Sequence, residues 1–591
     1  MAKTPLPARR AFVEKISYDA EALKDIEKVT GDLRKYLLEY PTVYVISMRE
    51  DGGYRVYVGE TNSIIQRTKQ HLEGDTSARH SRREAWRAFK SADGTELYII
   101  GHSLFNKSLT LDVENRLMQY LPSNAAVKSA DENSVFAENA RTNAQGEYFT
   151  KEHLEESFHQ IWNKLHKLDS ELFPTEKIIR ESALFKASPF HTLTAEQLDA
   201  KYEIIESVIE QFKMAEDPRL ILVSGAAGTG KTVLLSSLFY DLAQDLPEVE
   251  AQLGRTKLNT YLLVNHDEQV KVYEQVAEKL GLSSSKAPRV FKPTSFINNH
   301  DPNDPVDVVL IDEAHLLWTQ GKQSYRGKNH LKDVLDRAKV VVAVFDPDQI
   351  LAANQIWEPQ ELAWMHERAN SRIELQMQMR MLASEETTEW IRKFVHEGTI
   401  DPIPSDEGYE IRVFDDPSDL HNAISEKASS VEQGLSRLLA TYDWKFSSGS
   451  KPESGEPWMV QIGDFVLPWN NQQKFVFPRG SVEKDASWAE KPQTINEVGS
   501  TFTIQGFDLN YAGVIIGPSV KYRDGKVNFD PASSQNPNVR NKRTLADGSK
   551  QSFAELLLQN QLNVLLTRGV HGLYLFATDP ELQSRLKEAI R

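Results

Sequence analysis

Short apolar runs that alternate with amphipathic segments dominate the chain from about residue 190 to its end. Four runs, RLILVS, TYLLV, VDVVLID and KVVVAVF, lie between residues 219 and 345, and two more, YAGVIIG and GLYLFA, lie between 511 and 577. Continuous apolar runs of this length are typical of strands in a parallel sheet covered by helices on both faces. The long gap between the two groups predicts two α/β lobes, over residues 191–375 and 376–591.

The first 190 residues follow a different pattern. A charged segment, expected to be helical, precedes the strand-like runs VYVIS and YRVYVG, and then come a basic helix and a second helix around residues 109–121. These features predict a small α/β domain over residues 1–150, and residues 151–190 are typical of a helical connector. We expect no internal repeat and no coiled coil.

Composition narrows the class of protein. The 591 residues, with 40% hydrophobic and 26% charged, fit a soluble protein of several domains. No apolar run approaches the roughly 20 residues needed to span a bilayer, so we expect a cytoplasmic protein without a membrane partner. The absence of cysteine excludes disulfides, thiolate nucleophiles and sulfur-based zinc sites.

The net charge of −16 argues against a protein that coats nucleic acid through bulk positive charge. The sign reverses over residues 64–91, where seven Lys or Arg residues stand against three acids. This basic stretch is either a solvated helical face or a surface for the backbone of DNA.

The segment GAAGTGKT, at residues 225–232, lies between a predicted strand and a predicted helix. Glycines in such a turn let backbone N–H groups surround a phosphate at a helix N-terminus. We expect Lys231 to reach the β- and γ-phosphates of ATP and Thr232 to hold Mg²⁺. The predicted nucleotide-binding positions of this loop are Gly225, Gly228, Thr229, Gly230, Lys231 and Thr232.

The run VDVVLIDEAH places two acids at a strand end about eighty residues after the glycine-rich loop. We expect Asp312 to bind Mg²⁺ through water, and Glu313 to orient and deprotonate the attacking water. Together with the loop, these acids predict an ATPase.

Five further segments resemble, in the same order, the motifs of superfamily 1 helicases. They are LTAEQ at 193–197, VFDPDQ at 344–349, LQMQMR at 375–380, TFTIQGFDLN at 501–510 and NVLLTRGV at 563–570. The chain lacks the long inserted domains of processive members, and TIQGFDLN departs from the common motif. It is therefore similar to the compact, Schlafen-related helicase-like group of bacterial proteins, which leaves processive unwinding open.

This resemblance implies roles for residues outside the glycine-rich loop. Gln197 would contact adenine and Gln349 would contact the γ-phosphate. Gly506, in the segment TFTIQGFDLN, would help to bind the nucleotide. Arg380 and Arg568 would neutralise the transferred phosphate. Because Arg568 would come from the second lobe, hydrolysis would depend on closure of the two lobes.

The N-terminal region contains a second ordered set of segments. TVY at 42–44 and YVG at 57–59 end two predicted strands, and SIIQRTKQH at 63–71 places an arginine and a histidine four residues apart on one helical face. A later helix, at 109–121, contains a glutamate, and LPSN at 121–124 follows it. This set resembles the GIY-YIG nuclease family, a small three-stranded sheet flanked by helices.

The nuclease resemblance implies a one-metal phosphodiester cleavage. Tyr44 would act as general base with the metal's help, Tyr57 and His71 would position water and phosphate, and Arg67 would neutralise the pentavalent phosphate. The basic stretch would then contact DNA. An unrelated small α/β adaptor with a tyrosine-rich core is the alternative.

Two residues of the second helix and the loop after it complete the predicted nuclease site. Glu114 would bind the single Mg²⁺ or Mn²⁺ ion, and Asn124 would support the active-site loop.

The favoured function is an ATP-dependent or ATP-regulated DNA endonuclease and helicase, and domain architecture alone suggests defence against phage or foreign DNA. One alternative is an ATPase switch with an inactive nuclease fold kept for DNA binding, and another is a DNA-repair helicase–nuclease. A protein-remodelling ATPase is disfavoured, because the later motifs match helicases. The sequence leaves open the strandedness of the DNA, RNA as substrate, and assembly into a homo-oligomer.

Overall fold

The computed structural model divides into two compact units. Unit 1 comprises Met1–Thr194, Ser236–Leu258 and Lys271–Val290, and unit 2 comprises Ala195–Leu235, Asn259–Val270 and Phe291–Arg591. The structure describes the whole chain except residues 1–9, 51–52, 74–86, 125, 129–150, 215–216, 226–227, 245–248, 250–251, 255–256, 322–324, 377–380, 430–434, 448–449, 451, 453–454, 473–487, 505–506 and 591.

Unit 1 is built on a four-stranded antiparallel sheet in the order β1-β4-β2-β3. Its strands are β1 (Ala11–Ser17), β2 (Thr42–Glu50), β3 (Gly53–Thr61) and β4 (Glu96–His102). The helices of the first 194 residues whose bounds are described are α1 (Ala20–Ile26), α2 (Gly31–Arg34), α3 (Ile64–Glu73), α4 (Lys107–Ser123), α5 (Lys151–Leu168), α6 (Glu176–Glu181) and α7 (Ala183–Lys186), with a π-helical turn at Lys35–Glu39. Residues 87–91 are also helical.

The predicted α/β fold class is confirmed, but the small sheet has a fourth strand. The charged N-terminal segment was expected to be helical, and in the structure its first part forms β1, which pairs with β4 along its whole length. Helix α1 begins only after Asp19, whose carboxylate accepts the backbone N–H groups of Glu21 and Ala22. Pairing with a buried neighbour strand outweighs helix propensity here.

Two hydrophobic clusters cover opposite faces of this sheet, because successive side chains of a strand point to opposite faces. Val43 and Val45 of β2 pack in one cluster with Trp162 of the predicted connector. Tyr44 and Ile46 pack in the other cluster. Helices α4 and α5 contribute to the first cluster, whereas α1 and α3 contribute to the second.

Two further sheets follow, and the six-stranded one is called the first large sheet. The first has six strands in the order β10-β5-β9-β8-β6-β7, and the second has four parallel strands in the order β11-β20-β15-β12. The strands of the first sheet are β5 (Arg219–Gly225), β6 (Thr260–Val264), β7 (Val290–Phe291), β8 (Val306–Asp312), β9 (Ala338–Phe345) and β10 (Ala369–Leu375). The remaining strands are β11 (Glu410–Val413), β12 (Arg437–Ala440), β13 (Met459–Ile462), β14 (Phe465–Pro468), β15 (Leu509–Ile516), β16 (Val520–Arg523), β17 (Lys526–Phe529), β18 (Arg543–Thr544), β19 (Lys550–Gln551) and β20 (Gly569–Ala577).

Helices alternate with these strands, as the sequence predicts. They are α8 (Ala195–Met214), α9 (Lys231–Ala243), α10 (Asp267–Lys279), α11 (Pro293–Asn299), α12 (His330–Leu335), α13 (Pro359–Arg368), α14 (Glu385–Arg392), α15 (Pro417–Ser429), α16 (Thr501–Ile504), α17 (Pro537–Arg540), α18 (Ala554–Leu566) and α19 (Pro580–Glu588). Short 3₁₀ turns lie at Ala314–Leu316, Pro347–Gln349, Ala353–Gln355, Trp488–Glu490 and Pro492–Asn496, and a π-helical turn lies at Lys393–Glu397. Within the described residues, no helix combines the length and the apolar character that crossing a bilayer requires.

The first large sheet brings the predicted nucleotide-binding segments together. Strands β5, β9 and β8 are neighbours and run parallel, so their carboxyl ends meet at one edge. Loops at the carboxyl ends of parallel strands are where such sheets bind ligands. The glycine-rich loop, the turn after β9 and the two acids at the end of β8 all lie at this edge.

Trp162 tests whether α5 is an integral part of unit 1. Its side chain is fully buried, packs against the rings of Tyr120, Phe158 and Phe173, and donates its indole N–H to the carbonyl of Pro174 at 2.7 Å. We expect Trp162→Ala to lower the free energy of unfolding of this unit by about 3–5 kcal/mol, measured as a lower first transition in thermal denaturation.

The matched control is Lys167→Ala, on the exposed side of the same helix, which should leave the transition unchanged. Equal midpoints for wild type and Trp162→Ala would mean that α5 is a detachable linker.

Candidate nuclease and nucleotide sites

The two predicted catalytic tyrosines lie on neighbouring antiparallel strands of unit 1. Tyr44 of β2 faces Gly59 of β3, and Tyr57 lies two residues earlier on β3. A Cβ atom at Gly59 would lie 2.6 Å from the phenol carbon and oxygen of Tyr44. The glycine of YVG is therefore required because the Tyr44 ring lies directly over it.

Four of the six predicted nuclease residues form one cluster. The ring centroids of Tyr44, Tyr57 and His71 are 5.8–6.2 Å apart. Burial raises the pKa of Tyr44, Tyr57 raises it further, and Arg67 opposes the rise. Burial lowers the pKa of Arg67, but the two tyrosines raise it by more. The cluster therefore combines a buried neutral phenol with a firmly charged guanidinium.

Glu114, on α4, has a separate set of neighbours. Burial raises the pKa of Glu114 to about 8, Glu60 raises it further, and Lys107 opposes the rise. Glu60 also forms an ion pair with Lys107, and its second carboxylate oxygen is buried without a hydrogen-bond partner in the described part of the chain. Glu60 directly follows Gly59 in β3, so this acidic pair adjoins the strand that carries Tyr57. Sequence reasoning missed Glu60, although it directly follows the YVG motif.

Asn124 holds backbone groups. Its amide N–H₂ donates to the carbonyls of Glu171 and Leu172 at 2.8 and 3.0 Å, and its amide oxygen accepts the N–H of Ala126. These bonds join the loop after α4 to the segment that follows α5. They commit the side chain to the backbone, and support of the active-site loop by Asn124 stays a prediction.

Lys279, which sequence reasoning did not single out, also binds the end of α4. Its buried ammonium donates to the carbonyls of Pro122 and Asn124, both at 2.8 Å. Burial lowers the pKa of Lys279 to about 7. A cation at the C-terminal end of a helix binds the free carbonyls there and interacts favourably with the negative end of the helix dipole. Lys279 therefore stabilises the end of the helix that carries Glu114.

In unit 2, the glycine-rich loop connects β5 to α9. Gly228 and Gly230 have φ values of 91° and 74°, in the left-handed region that favours glycine. A Cβ atom at Gly225 would lie 2.6 Å from the carbonyl oxygen of Leu375 and 2.7 Å from the Thr229 hydroxyl. These glycines are thus required by local geometry and close approach.

Lys231, the first residue of α9, is anchored at both sides. Its ammonium donates to the Gly225 carbonyl at 2.6 Å and forms a buried ion pair with Asp346 at 3.3 Å. Burial raises the pKa of Asp346, but Lys231, His315 and a hydrogen bond from Gln349 together lower it below its usual value. Sequence reasoning quoted the segment VFDPDQ for Gln349 and overlooked Asp346, the aspartate that directly follows its strand.

The two acids at the end of β8 are arranged differently from each other. The Asp312 carboxylate accepts the Thr232 hydroxyl at 3.3 Å. Glu313 has φ and ψ of 51°, a left-handed conformation that is strained for a residue with a side chain and that often marks functional sites. The Glu313 carboxylate lies 3.1 Å from Nε2 of His315, a fully buried histidine whose pKa burial lowers.

Gln349 connects the turn after β9 to Arg568. Its amide N–H₂ donates to Asp346 at 2.7 Å, and its amide oxygen accepts a guanidinium N–H of Arg568 at 3.0 Å. Arg568 also donates from Nε to the Val564 carbonyl at 3.0 Å. Lys231, Asp346, Gln349 and Arg568 therefore form one continuous chain of contacts.

Three other residues were predicted to belong to the nucleotide site, namely Gln197, Arg380 and Gly506. The amide of Gln197 is buried and donates to the carbonyls of Thr229 and Gly230, at 3.1 and 3.4 Å. These two hydrogen bonds connect α8 to the backbone of the glycine-rich loop. Arg380 and Gly506 lie outside the described residues, and their roles stay predictions.

Two family models match the chain. The model described as Schlafen group 3, DNA/RNA helicase domain matches residues 218–579, which is more than half of the chain. The chain belongs to this Schlafen group 3 helicase family. The model of the GIY-YIG catalytic domain matches residues 40–120. The predicted fusion of a GIY-YIG domain with a Schlafen-related helicase-like domain is confirmed.

This Schlafen group 3 protein is similar to the uncharacterised protein YPL245W of Saccharomyces cerevisiae, with 33% identity over 450 residues that span 67% of this chain and 90% of the relative. Among solved structures, PCH-2 of C. elegans is 16% identical, with a TM-score of 0.17, and the match covers 39% of this chain and 59% of PCH-2, less than two thirds of its length. Pif1 helicase from Candida albicans is 11% identical, with a TM-score of 0.27, and the match covers 67% of this chain and 97% of Pif1. TM-scores this low carry no conclusion about this chain.

The raised pKa of Glu114 predicts how the stability of unit 1 depends on pH. A carboxyl group whose pKa is higher in the folded state than in the unfolded state stabilises the fold below the unfolded pKa, and this contribution is lost as pH rises to about 8. We expect Glu114→Gln to raise the free energy of unfolding at pH 8 by an amount on the order of a few kcal/mol, and to change it little at pH 4. Thermal denaturation in a chelating buffer measures both.

Mn²⁺ should reverse this difference at pH 8, because a bound cation would stabilise the Glu114 carboxylate in the wild type only. Identical pH profiles for the two proteins would show that Glu114 is ionised at its ordinary pKa.

Proposed function

We propose that this chain is an ATP-dependent or ATP-regulated DNA endonuclease, in which the Schlafen group 3 domain hydrolyses ATP and the GIY-YIG domain cleaves the phosphodiester bond. The observation that carries the proposal is the contact chain from Lys231 through Asp346 and Gln349 to Arg568. It joins the glycine-rich loop to the arginine of the last helicase-like motif. Such convergence is what phosphoryl transfer requires, because charge must be neutralised on several sides of the γ-phosphate.

The residues of this site fit ATP with Mg²⁺. Glycines at positions 225, 228 and 230 would let a phosphate approach the backbone, and Thr232 and Asp312 offer two neighbouring oxygen ligands of the kind that Mg²⁺ prefers. When bound, the ion would neutralise phosphate charge. The γ-phosphate would replace Asp346 at Lys231, and Glu313 would orient and deprotonate the attacking water.

Further predicted residues act around this centre in the proposal. Arg568 and Arg380 would stabilise the charge of the transition state, and Gln349 would report the γ-phosphate to the turn after β9. Gln197 would contact adenine while holding the glycine-rich loop. Gly506 would help to bind the nucleotide.

The acidic pair of unit 1 fits a divalent cation. Glu114 and Glu60 are two mutually repelling carboxylates, and one oxygen of Glu60 is buried without a hydrogen bond in the described part of the chain. A cation of the Mg²⁺ or Mn²⁺ type would relieve this repulsion and, when bound, polarise the scissile phosphate.

The tyrosine cluster would handle the phosphate and the water. Arg67 would neutralise the phosphate, and Tyr57 and His71 would position phosphate and water. Tyr44 would first lose its phenol proton to solvent, because the positive charges of Arg67 and the bound cation would lower its raised pKa, and the phenolate would then accept a proton of the water. The basic stretch at residues 64–91 would bind the DNA backbone, although residues 74–86 lie outside the described part of the chain.

One observation favours a second candidate function. Tyr44 is only 1% exposed, and its phenol is held neutral by burial. If it stays inaccessible when DNA binds, the GIY-YIG fold would serve as a DNA-binding module of an ATPase switch. A DNA-repair helicase–nuclease would use the same residues as the favoured function, and a role in bacterial defence stays a hypothesis from domain architecture.

Separating the two activities tests the proposal. The purified full chain is incubated with plasmid DNA, linear DNA and RNA, with Mg²⁺ and either ATP or a non-hydrolysable analogue. We expect Glu114→Ala to lower cleavage at least about 100-fold and to change ATP turnover less than about 2-fold, because only the metal site is lost. Lys231→Ala should abolish ATP turnover, because it removes the cation that holds the γ-phosphate.

Each outcome assigns a function. If the wild type turns over ATP but cleaves no substrate, and Glu114→Ala has the same activities as the wild type, the result would support the ATPase switch with an inactive nuclease. Cleavage that is independent of nucleotide and survives Lys231→Ala would refute control by ATP.

A further inference from the structure

The side chain of Arg543, in β18, is buried and fully paired in unit 2. Its guanidinium donates to the Thr319 hydroxyl at 2.7 Å and to the Ala353 carbonyl at 3.2 Å. It also contacts the carboxylates of Glu358 and Glu361, each at 3.3 Å. Only 2% of the side chain is exposed. Removing an arginine from water is costly unless every direction of the guanidinium is paired, so this position is strongly specified.

The partners of Arg543 belong to the segments that connect β8 to β9 and β9 to β10 of the first large sheet. Glu358 caps helix α13 and also accepts the backbone N–H of Ala546, three residues after Arg543. Two carboxylates, one side-chain hydroxyl and one backbone carbonyl thus hold the segment between α17 and α18 in one place. No second cation shares these carboxylates among the contacts of the described residues.

The N-terminal half of α18 is embedded in the core of the first large sheet. Ala554, Leu557 and Leu558 belong to the same hydrophobic cluster as Leu220 of β5 and Val341 of β9. The buried arginine and this apolar face therefore fix the start of α18 to the sheet that carries the glycine-rich loop.

The C-terminal half of α18 lies against the turn after β9. Asn560 donates to the carbonyls of Pro347 and Ile350, at 3.2 and 3.0 Å, and Asn563 donates to the carbonyl of Asp348 at 3.3 Å. These bonds hold the backbone directly before and directly after Gln349. The helix ends two residues before Arg568, whose guanidinium bonds Gln349.

We propose that Arg543 is a positioning residue for Arg568: it fastens α18 to the first large sheet, so that the helix presents Arg568 to Gln349 and the nucleotide. The inference rests on the proposed ATPase function of this site. Arg543 itself touches neither Gln349 nor Arg568 in the described contacts, and it acts through the helix. The segment between α17 and α18 then helps to position the arginine of the proposed ATPase site.

A comparison of Arg543→Gln with Arg540→Gln tests this role. Arg540 is exposed and lies three residues away, at the end of α17, so it is a matched control for loss of charge. We expect Arg543→Gln to lower kcat for ATP at least about 10-fold while the Kd for a fluorescent ATP analogue changes less than about 3-fold. Arg540→Gln should match the wild type in both.

A double-mutant cycle with Arg568→Ala separates positioning from general damage. If Arg543 acts through Arg568, the double variant Arg543→Gln/Arg568→Ala should turn over ATP at the rate of Arg568→Ala alone. Multiplied losses would overturn the proposal, as would an Arg543→Gln variant with wild-type kcat.

A second variant covers the case in which Arg543→Gln does not fold. Asn563→Ala removes one bond between α18 and the turn after β9 and keeps all charges, and it should show the same non-additivity with Arg568→Ala. A wild-type protein that does not hydrolyse ATP would refute the proposed function itself, whereas wild-type turnover with an additive cycle would refute only the role of Arg543.

Discussion

The ion pair between Lys231 and Asp346 determines the arrangement of the nucleotide site. A lysine held away from water is destabilising unless a partner carries the opposite charge, and the turn after β9 supplies that partner. The same turn supplies Gln349, which bonds Asp346 and Arg568 together. Phosphate groups carry the same sign of charge as Asp346, so they can replace it at Lys231 without leaving the lysine unpaired. In the proposed function, binding of nucleotide would thereby be coupled to the position of the turn.

The same constraint appears with the opposite sign in unit 1. Ionising both Glu114 and Glu60 would bring two negative charges together with Lys107 to compensate only one of them, and the pKa of Glu114, raised to about 8, keeps it mostly protonated at neutral pH instead. A protein keeps such an imbalance only where a cation or a proton restores neutrality. At the nearby end of α4, Lys279 is the converse case, because burial weakens its charge and two backbone carbonyls stabilise what remains. On the Glu114 side of α4, a further positive charge or a proton is therefore needed, whereas Lys279 already supplies a positive group at the C-terminal end.

The sequence pattern identifies the segments that the structure arranges around both candidate sites, and the roles of their residues stay predictions. The glycine-rich loop, the acids Asp312 and Glu313, and the tyrosine strands follow local patterns, and the alternating strands predicted the fold class. Asp346, Glu60 and the strand β1 were missed, because their importance depends on partners that are distant in sequence. Lys231 and Asp346 are 115 residues apart, and Arg543 and Glu358 are 185 residues apart. Periodicity identifies elements, but it does not identify which distant side chains meet.

The embedded position of α18 changes how closure of the lobes is understood. The sequence suggested that Arg568 reaches the nucleotide only when a second lobe closes. In the structure, moving α18 away would expose Leu557 and Leu558, at about 1.5–3 kcal/mol each, and would break the contacts of Arg543. Arg568 is thus held against Gln349, and in the proposed function the turn at residues 347–350 would contact both the nucleotide and α18. In the proposed ATPase, an arginine held in this way would suit a nucleotide-dependent switch better than a motor whose lobes separate widely in each cycle.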